Sequence, residues 1–447
     1  TTGDSGRGVY ASTSGLGDTL AQMDGGTITT GGADTIGVAA QILNATSPAT
    51  ATATAIMNAG TVSTTGEQSH GVLAINSGLG STVATMEAGD VSTTGFNASG
   101  VIAFNVNAAA TGDATATMNG GTVTTSNFNN EGVYARNDGI GAATATMTGG
   151  AVSTSGEKGF GVFAWTNNAL SSETATTLVT SGTVETTGLN ATAVRVDTAG
   201  TGLATATVAG DAVVNAGGVD SDGIRTTISQ AAATYAVAVD GTASVTGGFG
   251  TGAGIHTVSV AGSTGTVTVG ANAVVDGSRG AAGIVDDAGN TTMAINGKLL
   301  GGISAGAGDD VANLNAGSTI TGSVAMGDGS DVVRIASGAD VSGLTLLDGG
   351  DDLTAADGFI DVLSVDGLSG AVDGSIIRNW EEINVANSDV QVTDLVAGAV
   401  SVTDSTVVAT NLTADEVTLA NSTTTLDGTS VVATVNTCGG VTTLTGS

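Results

Sequence analysis

Carboxylates held in glycine-rich corners are the residues of this chain whose types and spacing most directly suggest chemistry. Ala305-Gly306-Ala307-Gly308-Asp309-Asp310 and Met326-Gly327-Asp328-Gly329-Ser330-Asp331 approach the Gly-Gly-x-Gly-x-Asp pattern of calcium-binding β-rolls, and Asp348-Gly349-Gly350-Asp351-Asp352 continues the series. In such corners glycine lets the backbone bend while carboxylate oxygens meet a hard cation, so Asp309, Asp310, Asp328, Asp331, Asp351 and Asp352 are candidate calcium ligands. The first two corners lie 21 residues apart rather than the nine of a true β-roll. The plain alternative is a solvated acidic bend.

Catalytic chemistry has less to build on. Histidine occurs only at His70 and His256, the single cysteine is Cys438, and no nucleophile elbow surrounds any serine. The paired acids Asp309-Asp310, Asp351-Asp352 and Glu381-Glu382 are neighbours along the chain, and neighbours on a strand point to opposite faces. A glycan-active enzyme on this scaffold needs clustered acids and bases on one face, and the chain has nine Lys and Arg in 447 residues. A non-catalytic protein is therefore expected, with a polysaccharide-active enzyme as a lesser alternative.

A second candidate is a column of bulky side chains. Taking the Val and Ala of each first strand as inward leaves Leu73 and Ile75, Ile102 and Phe104, Tyr134 and Arg136, Phe163 and Trp165 on the other parity, followed by Arg195, Arg225 and His256. Aromatic rings beside arginines are common contact residues, and unpaired charge is costly to bury, so Tyr134, Arg136, Phe163, Trp165, Arg195, Arg225 and His256 are expected to form a surface binding ladder. The alternative is inverted parity, with the rings filling the core. Asn76, Asn105 and Asn137, each four residues after the strand's Val, suit a structural corner ladder.

The elements that position these residues follow from repetition. A small residue followed by Val or Ile recurs at Gly8, Gly37, Gly71, Gly100, Gly132, Gly161, Ala193, Gly223, Gly254 and Gly283, at steps of 29 to 34. Each period carries two further runs, one ending near Met23, Met57, Met86, Met118 or Met147 and one centred on Ile28, Val62, Val91, Val123 or Val152. The runs alternate, as in Ala114-Thr115-Ala116-Thr117-Met118, with Ala and Met inward and Thr outward. No segment has helical periodicity. The fold expected is all-β, a right-handed parallel β-helix (β-solenoid) with three short strands per coil, coils of about 29–34 residues over 1–297 and about 21, then irregular, over 298–447.

Spacing also locates the variation. In the first six coils the Met-type position precedes the Val-type position by five residues, and the next small residue follows nine later; only the stretch from that small residue to the Met-type position varies, as 15, 20, 15, 18, 15 and 18. Insertions therefore fall in one corner, at Leu43 to Thr50, Asn105 to Asp113 and Thr166 to Glu173, giving a rod one loop-bearing face.

A formal charge of −32, from 41 acids and nine bases, disfavours nucleic acid and anionic membrane surfaces as partners. Neither a basic-then-apolar leader nor a long apolar run is present, so no signal peptide or membrane helix is expected in this stretch. One cysteine leaves no intrachain disulfide, which suits export of an unfolded chain.

The Gly-Gly-Thr-Val run at Gly120 to Ser126, the Ser-x-Gly-Val-x-Ala motif, and the succession Gly327-Asp328-Gly329-Ser330-Asp331-Val332-Val333-Arg334-Ile335, Leu347-Asp348-Gly349-Gly350-Asp351-Asp352-Leu353 and Asn379-Trp380-Glu381-Glu382-Ile383-Asn384-Val385 resemble the passenger regions of bacterial autotransporters. The resemblance covers most of the chain. It implies a right-handed β-helix secreted through a C-terminal outer-membrane translocator barrel and exposed on the cell surface or released. It also implies adhesion, autoaggregation or biofilm roles, the partner being a protein or glycan on a host or neighbouring cell, or a sister copy. A self-assembling surface-layer or filament protein, with calcium as its cation, is the alternative.

Overall fold

The computed structural model describes residues 3–350, 353 and 358–444, with side chains through residue 439; Asp351 and Asp352 lie outside the described residues. The architecture is all-β and solenoid-like, with two long sheets of parallel strands and, among the described residues, one 3-10 turn at Gly374–Ile376. The chain divides into two units, one running up to Thr264 together with Ala273–Ala281, the other comprising Gly265–Asn272 and everything from Ala282 onward.

In the first unit three strands recur per repeat, represented by Val101–Asn105, Ala114–Met118 and Thr122–Thr125. Each pairs in parallel with its equivalents one repeat before and after. Register places like on like: Val72, Val101, Val133 and Val162 form one column, Met57, Met86, Met118 and Met147 a second, Val62, Val91, Val123 and Val152 a third. In Ala114–Met118 the Ala and Met side chains are fully buried and the threonines half-buried, as the alternation predicts.

The third column holds a feature that period-two reading misses. Thr64, Thr93, Thr125, Thr154 and Thr186 are wholly buried, although threonine was expected to face outward. Each hydroxyl donates to the carbonyl five residues further on, from 2.6 Å at Thr93 to Ala98 to 3.4 Å at Thr125 to Asn130. A buried hydroxyl is tolerable when so satisfied, and here it pins the corner. Asn76, Asn105 and Asn137 do likewise at the next corner; the Asn137 amide donates to Gly112 and Ala142 carbonyls at 2.9 Å and its oxygen accepts from the Gly139 N–H.

The small residue that opens each repeat has a steric cause. A Cβ at Gly71, Gly100, Gly132 or Gly161 would lie 2.3 Å from Cγ1 of Val91, Val123, Val152 or Val184 respectively. First and third strands press backbone against β-branched side chain at that point, so the spacing between them cannot drift and slack collects in the remaining corner.

The second unit tightens. Val311 pairs with Val332, 21 residues on, as expected, but beyond Val362 the paired positions fall to Glu382, Ala399 and Glu416, steps of 20, 17 and 17. The expectation of irregularity there is corrected: the coils are shorter and regular. Single left-handed residues, Asn387, Asp404 and Asn421, turn the chain where longer corners did so before. The serine after each, Ser388, Ser405 or Ser422, accepts the N–H of the preceding coil's corner at 3.0–3.2 Å.

Gly132→Val is expected to destabilise the first unit by at least ~2 kcal/mol, because the Val152 column has no room to yield. Gly25→Ala, where an added Cβ meets nothing within 4 Å, should stay within about 0.5 kcal/mol of the parent. Urea unfolding followed by circular dichroism compares the two; equal midpoints would remove the steric explanation of the repeat.

Candidate functional site

The predicted ladder exists as a register, and burial divides it. Leu73, Ile102, Tyr134, Phe163, Arg195, Arg225 and His256 stack on successive coils, as do Ile75, Phe104, Arg136, Trp165 and Asp197 two residues further along the strand. Val and Ala on the other parity are fully buried, so the ladder lies on the outer side of the strand. Tyr134 and Phe163 are nevertheless only 7% and 4% exposed, which corrects the expectation that the whole column meets solvent. They pack with Ile36, Leu73, Ile102 and Phe160 into a cluster outside the strand column, flanked by the half-buried Ile75, Phe104 and Trp165.

Stacking at one-coil spacing explains this second apolar layer. Tyr134 and Phe163 rings lie 4.9 Å apart and nearly parallel, and Phe160 meets Phe163 edge-on at 5.4 Å. Arg136 is sandwiched between Phe104 and Trp165 at 4.7 and 4.8 Å, and Arg195 covers Phe160 and Phe163. Each cation is already neutralised: Arg136 by Asp138 at 2.8 Å, Arg195 by Asp197 at 2.7 Å, Arg225 by Asp222 at 3.0 Å, with His256 3.3 Å from the same Asp222 carboxylate. The guanidinium groups act as lids over the rings, and little free positive charge is offered to a partner.

Beneath the lids lies a polar seam that the sequence reading did not anticipate. The Ser99 hydroxyl donates to Glu131 at 2.6 Å, and the Ser99 N–H donates to His70 Nδ1 at 3.1 Å. Burial pushes the Glu131 carboxyl up to about 7, with the Ser99 hydrogen bond and nearby Arg195 opposing it. Burial also holds the His70 imidazole down to about 4, helped by Arg7. Their positions just before Gly71, Gly100 and Gly132 were the available signal.

The acidic corners of the second unit separate. Asp309 and Asp328 are exposed, whereas Asp310 and Asp331 turn inward with 0% exposure. The inward carboxylates climb the coils as a hydrogen-bonded ladder: Asp310 accepts the Thr291 N–H, Asp331 that of Asp310, Asp361 that of Asp331, and Glu381 that of Asp361, at 2.7–2.8 Å. The other oxygen of Asp310 and of Asp331 has no hydrogen-bond partner. Among the described residues no three His, Cys, Asp or Glu side chains come together as a metal-ligand group. Calcium ligation is therefore not the arrangement of Asp309, Asp310, Asp328 and Asp331, because adjacent acids face opposite ways; Asp351 and Asp352 lie outside the described residues.

The insertion corner is the remaining candidate, and it is highly ordered. Asn107 Nδ2 donates to the Ala45 carbonyl two coils back at 3.3 Å and to Ser77 in the coil between at 3.0 Å. Asn168 repeats the pattern onto Ala108 and Asp138 at 3.0 Å, and Gln230 onto Ala169 and Ala199 at 2.9 and 2.8 Å. Asn44, Asn107 and Asn168 also each accept the N–H two residues on, closing a turn at the loop base. Long loops therefore bridge over the short corners between them and form a continuous ridge, whose tips present Leu43 and Leu170 at 54% and 86% exposure. An Asn-Ala dipeptide at 44, 107 and 168 was the sequence signal for this clamp.

The ladder sets a pH dependence. Burial raises Asp310 to about 7 and Asp331 to about 8, with neighbouring carboxylates adding to the rise and backbone N–H donors opposing it. In the unfolded chain both ionise near 4, so between that pH and about 8 the folded unit holds more protons, and its stability falls as pH rises. Urea midpoints of a Trp165→Phe background, read from buried Trp380, are expected to be higher at pH 5 than at pH 8.5. Asp331→Asn keeps the acceptor and should flatten that difference; an unchanged slope would show that the ladder does not titrate.

Comparison with known proteins returns no match, whether to a family model, a curated protein or a solved structure.

Proposed function

We propose that this chain is the non-catalytic passenger portion of a bacterial cell-surface or secreted protein of autotransporter type, a right-handed parallel β-helix that promotes adhesion or autoaggregation. In this reading the ridge of clamped loops makes the contact, and its partner is a protein or glycan on a neighbouring or host cell, or another copy of the chain. The observation that carries the proposal is the amide clamp itself: Asn107, Asn168 and Gln230 hold loops that the internal packing does not require, with large apolar side chains at their tips. Ordering such loops in advance lowers the entropy lost on binding. The passenger resemblance of the repeats and the scarcity of basic groups agree with it.

Cells displaying the full chain, mixed with cells that lack it, are expected to clump. Leu43→Asp with Leu170→Asp should reduce clumping several-fold without altering the circular-dichroism spectrum. Clumping indifferent to both substitutions would exclude the ridge. Loss of an ordered array on calcium chelation would favour a surface-layer protein instead, and release of reducing sugar ends an enzyme.

A further inference from the structure

The second unit contains an interior space that the first does not. Inward side chains of the first unit, such as Val72, Ala84, Met118 and Val123, are 0% exposed. Their counterparts past Val362 are not sealed: Val365 is 9% exposed, Val392 8%, and Val390, Val400 and Val407 are each 6%. These residues line a chamber of about 540 Å³ between facing strand columns, one running through Leu363, Ile383, Val400 and Val417, the other through Gly370, Val390, Val407 and Thr424. The volume falls within the range of small-molecule sites. Protein interiors are otherwise close-packed, and an unfilled apolar space of this size is strongly destabilising.

We propose that this chamber binds the aliphatic chain of an amphiphile whose head is cationic. The wall is almost wholly Val, Leu and Ile, without rings to stack on or charges to pair, which suits a saturated chain rather than a sugar or nucleotide. One polar atom is orphaned in it, the Thr424 hydroxyl, 2% exposed and without a hydrogen-bond partner, as expected where the chamber's contents are missing. From the Gly370 level to the Thr424 level is three coil steps, roughly 14 Å at ~4.8 Å each, comparable with an extended decyl to dodecyl chain.

The head is fixed by the mouth. The chamber's exposed lining residues include Asp340, Ser342, Ser369, Ala371 and Asp373, so one end opens beside two carboxylates. Both are held below the usual carboxylate range, Asp340 by hydrogen bonds from Ser342 and Asp373 by those from Ser375, and both are therefore negative at neutral pH. A carboxylate-headed chain would meet like charge there, and the −32 of the whole chain adds to that repulsion. An ammonium head meets attraction instead.

This inference stands apart from the adhesin reading and has its own test. Isothermal titration of the full chain with dodecyltrimethylammonium, below its micelle concentration, is expected to give one saturable site, with dodecanoate at least tenfold weaker. Ala409→Trp, which fills the chamber, should weaken the cationic ligand tenfold or more while circular dichroism stays unchanged. Asp340→Lys at the exposed mouth should narrow or reverse the preference between the two heads without touching the interior. Absence of a saturable site, binding unaltered by Ala409→Trp, or equal affinity for both heads would each overturn the proposal, the second by showing surface adsorption only.

Discussion

In-register parallel pairing between successive coils is the constraint on which everything else in this protein rests. Each strand's amides bond to the strand one coil away, so a side chain at a given position must lie against its own equivalent at roughly 4.8 Å. Like therefore packs on like, and the chain must choose residues that tolerate themselves as neighbours. Met on Met and Val on Val satisfy this through dispersion alone. Polar residues satisfy it only if each can pass a hydrogen bond along the column, which the corner asparagines and serines do.

The same constraint is costly for charged residues. A column of acids would place like charges a single coil apart, and Asp310, Asp331, Asp361 and Glu381 sit in such a column. Backbone N–H donors compensate part of the cost and raised carboxyl affinities for protons the rest. On the outer side of the first unit the arginines resolve the matter differently. Asp138, Asp197 and Asp222 pair with them locally, two or three residues away in sequence, so that neutral pairs rather than bare charges occupy neighbouring coils. What results is a capped apolar layer around Tyr134 and Phe163, not an open ladder.

Coil size then decides what can be packed inside. Coils of about thirty residues in the first unit enclose Met and Ala tightly, with a glycine driven against a valine at each turn. When single left-handed Asn and Asp corners shorten the coil to 17 residues, the inward positions become Val facing Val, and the walls stay parallel without meeting. The tight part of the molecule is thus made by variety of side-chain length, and the open part by its absence.

Much of this was written in the sequence. Repeat period, strand number per repeat, the parity of Ala and Met, and the confinement of insertions to one corner are all fixed by spacing, because stacking in register turns a sequence interval directly into a spatial one. The serine-linked short coils were present in the sequence but hidden, their runs being too brief and too polar to look periodic. What only the tertiary structure decided were matters of direction and reach. Neighbouring acids such as Asp309 and Asp310 part to opposite sides, Tyr134 is sealed by Phe160 and Arg195 from other coils, Asn107 spans two coils to Ala45, and a chamber forms where two columns fail to interlock. Sequence periodicity specifies which residues share a column; how far apart two columns stand, and what lies over them, depends on side-chain volumes contributed by coils remote in the chain.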